Sequence, residues 1–155
     1  MPEAAEAAEL YERDFYDWSL RQAELLRHAG VMRLNALPGL DWEHLAEEIE
    51  TLGKSQLREL YSRYKVLLLH LLKWRHQPPL RGASWRGTIR HQRDEISRLL
   101  ADSPSLHRKR QPELRRAYVK AREDAEDETG LPLSIFPEAC PFTLDQVEDD
   151  SFWPD

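Results

Sequence analysis

From Asp41 to His76 the chain runs thirty-six residues without a proline. Across that run apolar side chains return every third or fourth position: Trp42, Leu45, Ile49, Leu52, Leu60, Tyr64, Leu67, Leu71 and Trp74. That period matches one face of an α-helix and no face of a strand. A single helix over 41–76 would be about 54 Å long at ~1.5 Å per residue. A domain built on so long a helix must lay other helices along it. Asp41 is placed to cap the start, and the acidic residues after it suit the positive end of the helix dipole. Gly53 interrupts the interior at a cost of ~1 kcal/mol against alanine, which marks a close helix crossing or a bend.

The rest of the chain offers three more helices. The first is predicted over about Tyr11 to Ala29, with Tyr11, Phe15, Trp18, Leu25 and Leu26 as its stripe and Gly30 as its stop. The stretch VMRLNALPGL then reads as a linker, broken by Pro38 and Gly39. After QPPLRGAS, Ser84 is expected to cap a helix that buries Trp85, Ile89, Ile96, Leu99 and Leu100 and ends near Asp102. A last main helix is expected from about Pro112 to Thr129, on the small face Leu114, Tyr118, Ala121 and Ala125, ended by Gly130. Residues 1–10 look like a frayed lead-in. Residues 131–155 hold several prolines but also Ile135, Phe136, Phe142, Phe152 and Trp153. Such a segment is expected to wrap along the bundle, with one turn closed by a Thr143/Gln146 capping box. No period-2 alternation competes. The expectation is an all-α, four-helix bundle-like domain over 1–155, with a long second helix and an extended Pro-rich C-terminal tail packed on it.

Composition narrows the setting. No segment has the ~18 consecutive apolar residues of a membrane span, and the acidic N-terminus lacks the apolar stretch of a secretory signal. The single Cys140 rules out an internal disulfide, so a reducing, cytoplasmic location is expected. The net charge of −6 is segregated. Residues 1–53 carry 4 basic and 12 acidic groups, residues 54–120 carry 17 and 5, and residues 121–155 carry 1 and 11. The acidic flanks argue against nucleic acid as a partner, since the field of the whole molecule repels polyanions.

Five stretches together resemble a known family: YERDFYDWSLRQAELLR, LDWEHLAEEIETLGKS, LLLHLLKWRHQP, SWRGTIRHQRDEI and TGLPLSIFPEACPFTLDQV. They are similar to the bacterial proteins grouped as domain of unknown function 29, in the same order over residues 11 to 154. The resemblance implies an all-helical fold. It implies no activity and assigns no catalytic residue.

Candidate sites therefore rest on polar residues that interrupt apolar stripes. His70 lies within the run VLLLHLL, where a ring must find a partner or a cavity. Glu48 sits beside Leu45, Ile49 and Leu52, and a half-buried carboxylate there would need a cation or donors. Gln92 interrupts the line Trp85, Ile89, Ile96. Arg86 and Arg93, seven apart, could clamp a carboxylate. The candidate pocket is Glu48, His70, Trp74, Trp85, Gln92 and Arg93, between the second and third predicted helices. His44-x-x-Glu47 reverses the Glu-x-x-His order of di-iron bundles and occurs once, so no metal and no cofactor are expected. Arg86, four residues and then His91 resemble the motif of HEPN ribonucleases, where the pair would act on the RNA 2′-hydroxyl and phosphate. Here Gly87 replaces the polar residue that commonly follows the arginine. No complete catalytic motif is present. The expected role is a protein-interaction or self-associating module, with a homodimer among the options. A small-ligand pocket and an HEPN-like ribonuclease are the alternatives.

Overall fold

Asp14 stops what the periodicity reads as one helix. Its backbone is extended (φ −154°, ψ 90°), and its carboxylate accepts the Asp17 N–H at 3.0 Å. An extended residue whose side chain bonds the N–H three positions on is an N-cap. Two helices result, α1 over Pro2–Arg13 and α2 over Phe15–Val31. Of the expected frayed lead-in of residues 1–10, Pro2 to Leu10 are helical, and the expected first helix is split. In this computed structural model residues 2–32 and 37–155 are described, so positions 33–36 of the expected linker lie outside the described residues.

The described residues form six α-helices. After α1 and α2 come α3 over Trp42–His76, α4 over Ala83–Asp102, α5 over Arg110–Thr129 and α6 over Leu144–Glu148. Short 3-10 turns at Pro78–Leu80, Pro104–Lys109 and Leu133–Ile135 complete the order. The chain divides into two compact units. One comprises residues 1–58 and 100–107, the other 59–99 and 108–155.

In the first unit α2 packs against the first turns of α3, and Gly53 shows why the pair can close. A Cβ on Gly53 would lie 1.9 Å from Ser19 Oγ. Of the two alternatives that its position left open, a bend or a close crossing, Gly53 is thus the close crossing. At the other end, a Cβ on Gly30 would come within 2.9 Å of Trp42 Cβ. Arg27 joins the same seam, bonding Glu50 at 2.8 Å and Glu43 at 3.3 Å. Asp41 caps α3 as expected, accepting the His44 N–H at 3.2 Å. The 3-10 turn at Pro104–Lys109 is tied to α2 by polar groups. Asp14, buried, accepts the Ser105 N–H at 2.6 Å and the Ser105 hydroxyl at 2.8 Å, and the Tyr16 N–H reaches Ser103 Oγ at 3.2 Å.

The stripe assignment in this unit needs correction. Tyr11 and Leu25 are exposed, and the buried positions on α2 are Tyr16, Ser19 and Ala23. On α3, Leu45 and Leu52 are exposed while Ala46 and Gly53 are buried. Small residues face the neighbouring helix because the crossing is close. That turns the larger leucines outward.

The second unit is closed by large aliphatic and aromatic side chains. Leu60, Tyr64, Leu67, Leu68, Leu71, Leu72, Ile89, Ile96, Leu114, Phe136 and Val147 are fully buried. Burying each is worth about 1.5–3 kcal/mol. Gly130, at φ +70°, ends α5 with its N–H on Glu126 O, the left-handed stop that favours glycine. The chain beyond it is held by α5: Arg122 bonds the carbonyls of Phe136 and Leu133, and the Tyr118 hydroxyl bonds that of Pro137. α6 opens on the expected capping box of Thr143 and Gln146.

Candidate functional site

Of the six candidate residues, five belong to the second unit and Glu48 to the first. Glu48 is exposed, so it does not need the cation expected for a half-buried carboxylate. His70 is half-buried on α3, with Nδ1 on Val66 O at 2.8 Å. Burial holds its pKa below the ordinary histidine value; the Val66 contact opposes this, and Lys73 adds to it. A neutral ring donating to the carbonyl one turn back needs no ligand.

Trp74 is buried beside Trp153, the ring centroids 4.7 Å apart. Arg81 and Arg86 lie over Trp74 at 5.3 and 5.8 Å, and Lys73 lies over Trp85 at 4.9 Å. Gln92 is buried and accepts from Arg63 Nη1 at 3.4 Å. Arg93 is 3% exposed and, among the described residues, bonds no carboxylate. It donates to three main-chain carbonyls of the C-terminal segment: Val147 at 2.8 Å, Gln146 at 3.3 Å and Phe152 at 3.0 Å. Its Nη1 is buried without a partner. The Arg86/Arg93 clamp therefore does not form. Arg93 turns inward onto backbone, and Arg86 stays at the surface on an indole. A cavity of about 200 Å³ in this unit is lined by Arg75, Phe142, Gln146, Phe152 and Trp153, and not by the candidate residues.

Sequence reasoning missed a further cluster in this unit. The Tyr64 hydroxyl donates to Glu148, whose other oxygen accepts Arg110 at 2.8 Å. Burial, with the Glu148 bond second, raises the Tyr64 pKa far above its usual range. The neutral phenol is a fixed donor, and the triad ties α6 to α3 and α5. A tyrosine on an apolar stripe and a glutamate eighty-four residues away give no local signal of this pairing.

The remaining sequence candidates stand apart. His44 pairs with Asp41 at 2.5 Å, and that carboxylate raises its pKa. Among the described residues no group of three or more His, Cys, Asp or Glu is placed to hold a metal ion. His91 is exposed on α4, as is Arg86. The Cys140 thiol, half-buried, is pushed up in pKa by burial and donates weakly to Phe142 O at 3.4 Å, a poor setting for a nucleophile.

The first unit holds a different kind of surface. Leu45, Ile49, Leu52 and Gln56 follow one another on α3 at spacings of four, three and four. Leu45 is 39% exposed and Leu52 is 53% exposed. This is the spacing of a helix-pairing seam. Gln56, at its end, shares a cavity of about 250 Å³ with Tyr11, Phe15, Glu12 and Asp102. Tyr11, Phe15 and Trp18 pack together there, with centroids 4.8 to 5.8 Å apart.

No helix of the described residues is long and apolar enough to cross a membrane. Among solved structures, the chain is similar to an α-helical protein of unknown function from Rhodospirillum rubrum. The two are 27% identical with a TM-score of 0.68, over 92% of this chain and 90% of that one. No curated protein matches the chain. The sequence model described as "Domain of unknown function DUF29" matches residues 10–153, nearly the whole chain. The chain is an all-helical member of the DUF29 family.

Proposed function

We infer that this protein is a protein-interaction module that docks a partner on its first unit. One observation carries the reading: the seam Leu45, Ile49, Leu52, whose two leucines are exposed on a regular helix. Exposed apolar residues scattered singly need no explanation, but a row at helix-pairing spacing beside an aromatic cavity does. The polar breaks in the second unit favour a structural role, because Arg93, Tyr64 and Gln92 are engaged within that unit.

The test is a photoreactive amino acid placed at Leu52 and, separately, at Val119, an exposed position of the second unit. Irradiation in the native host is expected to give a discrete adduct from position 52 and none from 119. No adduct from either position would sink the interaction reading.

A small-ligand pocket among His70, Trp74, Trp85, Gln92 and Arg93 is the second reading. The buried, partnerless Nη1 of Arg93 favours it. Its test is thermal unfolding with millimolar acetate or phosphate. A rise in midpoint for the wild type that is absent in Arg93→Lys supports a ligand, and no rise discards it.

A further inference from the structure

The seam on α3 has charged borders, and these choose its occupant. Glu48 lies on one flank of the row Leu45, Ile49, Leu52, Gln56, about a fifth of a turn from it by helical geometry, and Asp41, the cap paired with His44, lies at its start. Both are exposed. At the far end, Glu12 and Asp102 rim the cavity that holds Tyr11, Phe15 and Gln56. The first unit as a whole carries 6 basic and 13 acidic residues, a formal net of −7. An apolar row with an acidic border selects a ligand that is apolar in the middle and basic at its edge.

Resting on the interaction reading above, we propose that the Leu45–Ile49–Leu52 row and the Tyr11/Phe15/Gln56 cavity take an amphipathic helix of a partner protein, leucine-rich on one face and lined with lysine or arginine. The row spans about two turns or more, so a helix of about 14 residues, ~21 Å long at ~1.5 Å per residue, covers it. The cavity at its end, about 250 Å³, has room for one large side chain of that helix. A second copy of this chain is a poor occupant. A two-fold contact on the row sets this patch against the same patch of a second copy, so the acidic border of one copy faces a unit of net −7 in the other. Like charges set across a contact are a device against pairing. Nucleic acid is a poor occupant for the same reason, since its phosphates would meet an acidic border.

Three labelled synthetic peptides of equal length test this by fluorescence anisotropy against the full chain. The first has a leucine seam with lysine flanks, the second the same seam with glutamate flanks, and the third the lysine composition in scrambled order. The lysine-flanked seam is expected to bind and the other two are not. Leu52→Asp should abolish binding. Glu48→Lys should weaken the lysine peptide by about tenfold and admit the glutamate peptide. Both positions are exposed, and circular dichroism checks that each variant keeps its helices. No binding of the lysine peptide, or equal binding of the glutamate or scrambled peptide, overturns the proposal. So does a position-52 adduct made of two copies of this chain. An adduct with another protein, together with no peptide discrimination, would leave the interaction reading standing and remove the basic helix.

Discussion

The two units of this chain hold themselves together by different means. The second is a core of large side chains: of the twelve largest fully buried side chains among the described residues, eleven lie in it and Leu106 lies in the first. The first unit is closed by small residues and polar ties, with Ala23, Ala46, Ser19 and Gly53 at the α2–α3 crossing and Asp14, Ser103 and Ser105 at the α2 start. Close crossings bring backbones together but bury little area per residue. The exposed large apolar residues follow the same division. Tyr11, Leu25, Val31, Met32, Leu37, Leu40, Leu45 and Leu52 are in the first unit, and Leu80, Val119 and Ile135 in the second. The lesson is one of division of labour. The unit that satisfies its apolar groups internally supplies stability, and the unit that leaves them at the surface supplies the face on which the proposed partner would dock.

The comparison breaks most sharply on truncation. Phe136→Ala empties a fully buried site in the second unit and should cost about 3–5 kcal/mol. Leu52→Ala in the first should stay within about 0.5 kcal/mol. Urea unfolding followed by circular dichroism reads both. Equal losses would show that the first unit's leucines are core after all.

Arg93→Ala comes next, with an expected loss of about 2–3 kcal/mol. Three carbonyls of the C-terminal segment lose a charged donor, and hydrogen bonds to charged groups are the strong ones. The loss should be accompanied by faster proteolysis within 144–155. Arg93→Lys should recover little, because an ammonium on a flexible stem does not reproduce the fork. Unchanged proteolysis would mean that the Tyr64–Glu148–Arg110 triad and the Trp74–Trp153 contact hold the segment without Arg93.

Two glycines sharpen the contrast with opposite signs. Gly53→Ala forces a Cβ onto Ser19 Oγ and should destabilise by about 1–3 kcal/mol, partly relieved in the Ser19→Ala background. Gly87→Ala, on α4 with nothing within 4 Å of the new Cβ, should stabilise by about 0.5–1 kcal/mol through helix propensity. Thermal unfolding separates them. A neutral Gly53→Ala would mean that α2 can shift, and the close crossing would lose its claim to order the first unit.

These residues also show what could be read from the chain alone. Helix ends were legible where one residue type does the work: Asp41 at the start of α3, Gly130 at the end of α5, Thr143 and Gln146 around α6. Each is a local hydrogen bond or a local backbone preference. The long α3 was legible because its period runs for ten turns. The break at Asp14 was not. An acidic residue within an amphipathic pattern looks like a surface position until Ser105, ninety-one residues on, supplies its donors. The outward turn of Leu45 and Leu52 was missed for a related reason. Periodicity finds a stripe but not which neighbour claims it, and at a Gly–Ser crossing the small residues win. The candidate pocket failed to gather on the same ground: Arg93 spends its donors on carbonyls more than fifty residues away, which no spacing rule anticipates.

The smallest expected effect lies in pH dependence, where histidines of the two units should pull in opposite directions. His70 and His76 in the second unit have pKa values lowered chiefly by burial, with the like charges Lys73 and Arg75 adding to it; at His70 the Val66 carbonyl and Glu128 oppose the shift. A lowered base is favoured neutral in the folded state. Its contribution is whole above the unfolded value of about 6.5 and is lost as pH falls below that value toward the folded one. His44 in the first unit is raised by its bond to Asp41, with Glu47 and Glu43 adding to it. Its contribution is whole below about 6.5 and is lost as pH rises through the raised folded value. Histidine ring resonances followed by NMR should therefore show His44 titrating above His70 and His76. The urea midpoint should fall on acidification from pH ~7 toward ~5, and His70→Gln should flatten that fall. His44→Gln should instead remove a small loss on the alkaline side. A reversed order of titration would mean that the His70 ring meets water or an anion, and the pocket reading would regain the ground that its backbone bond now denies it.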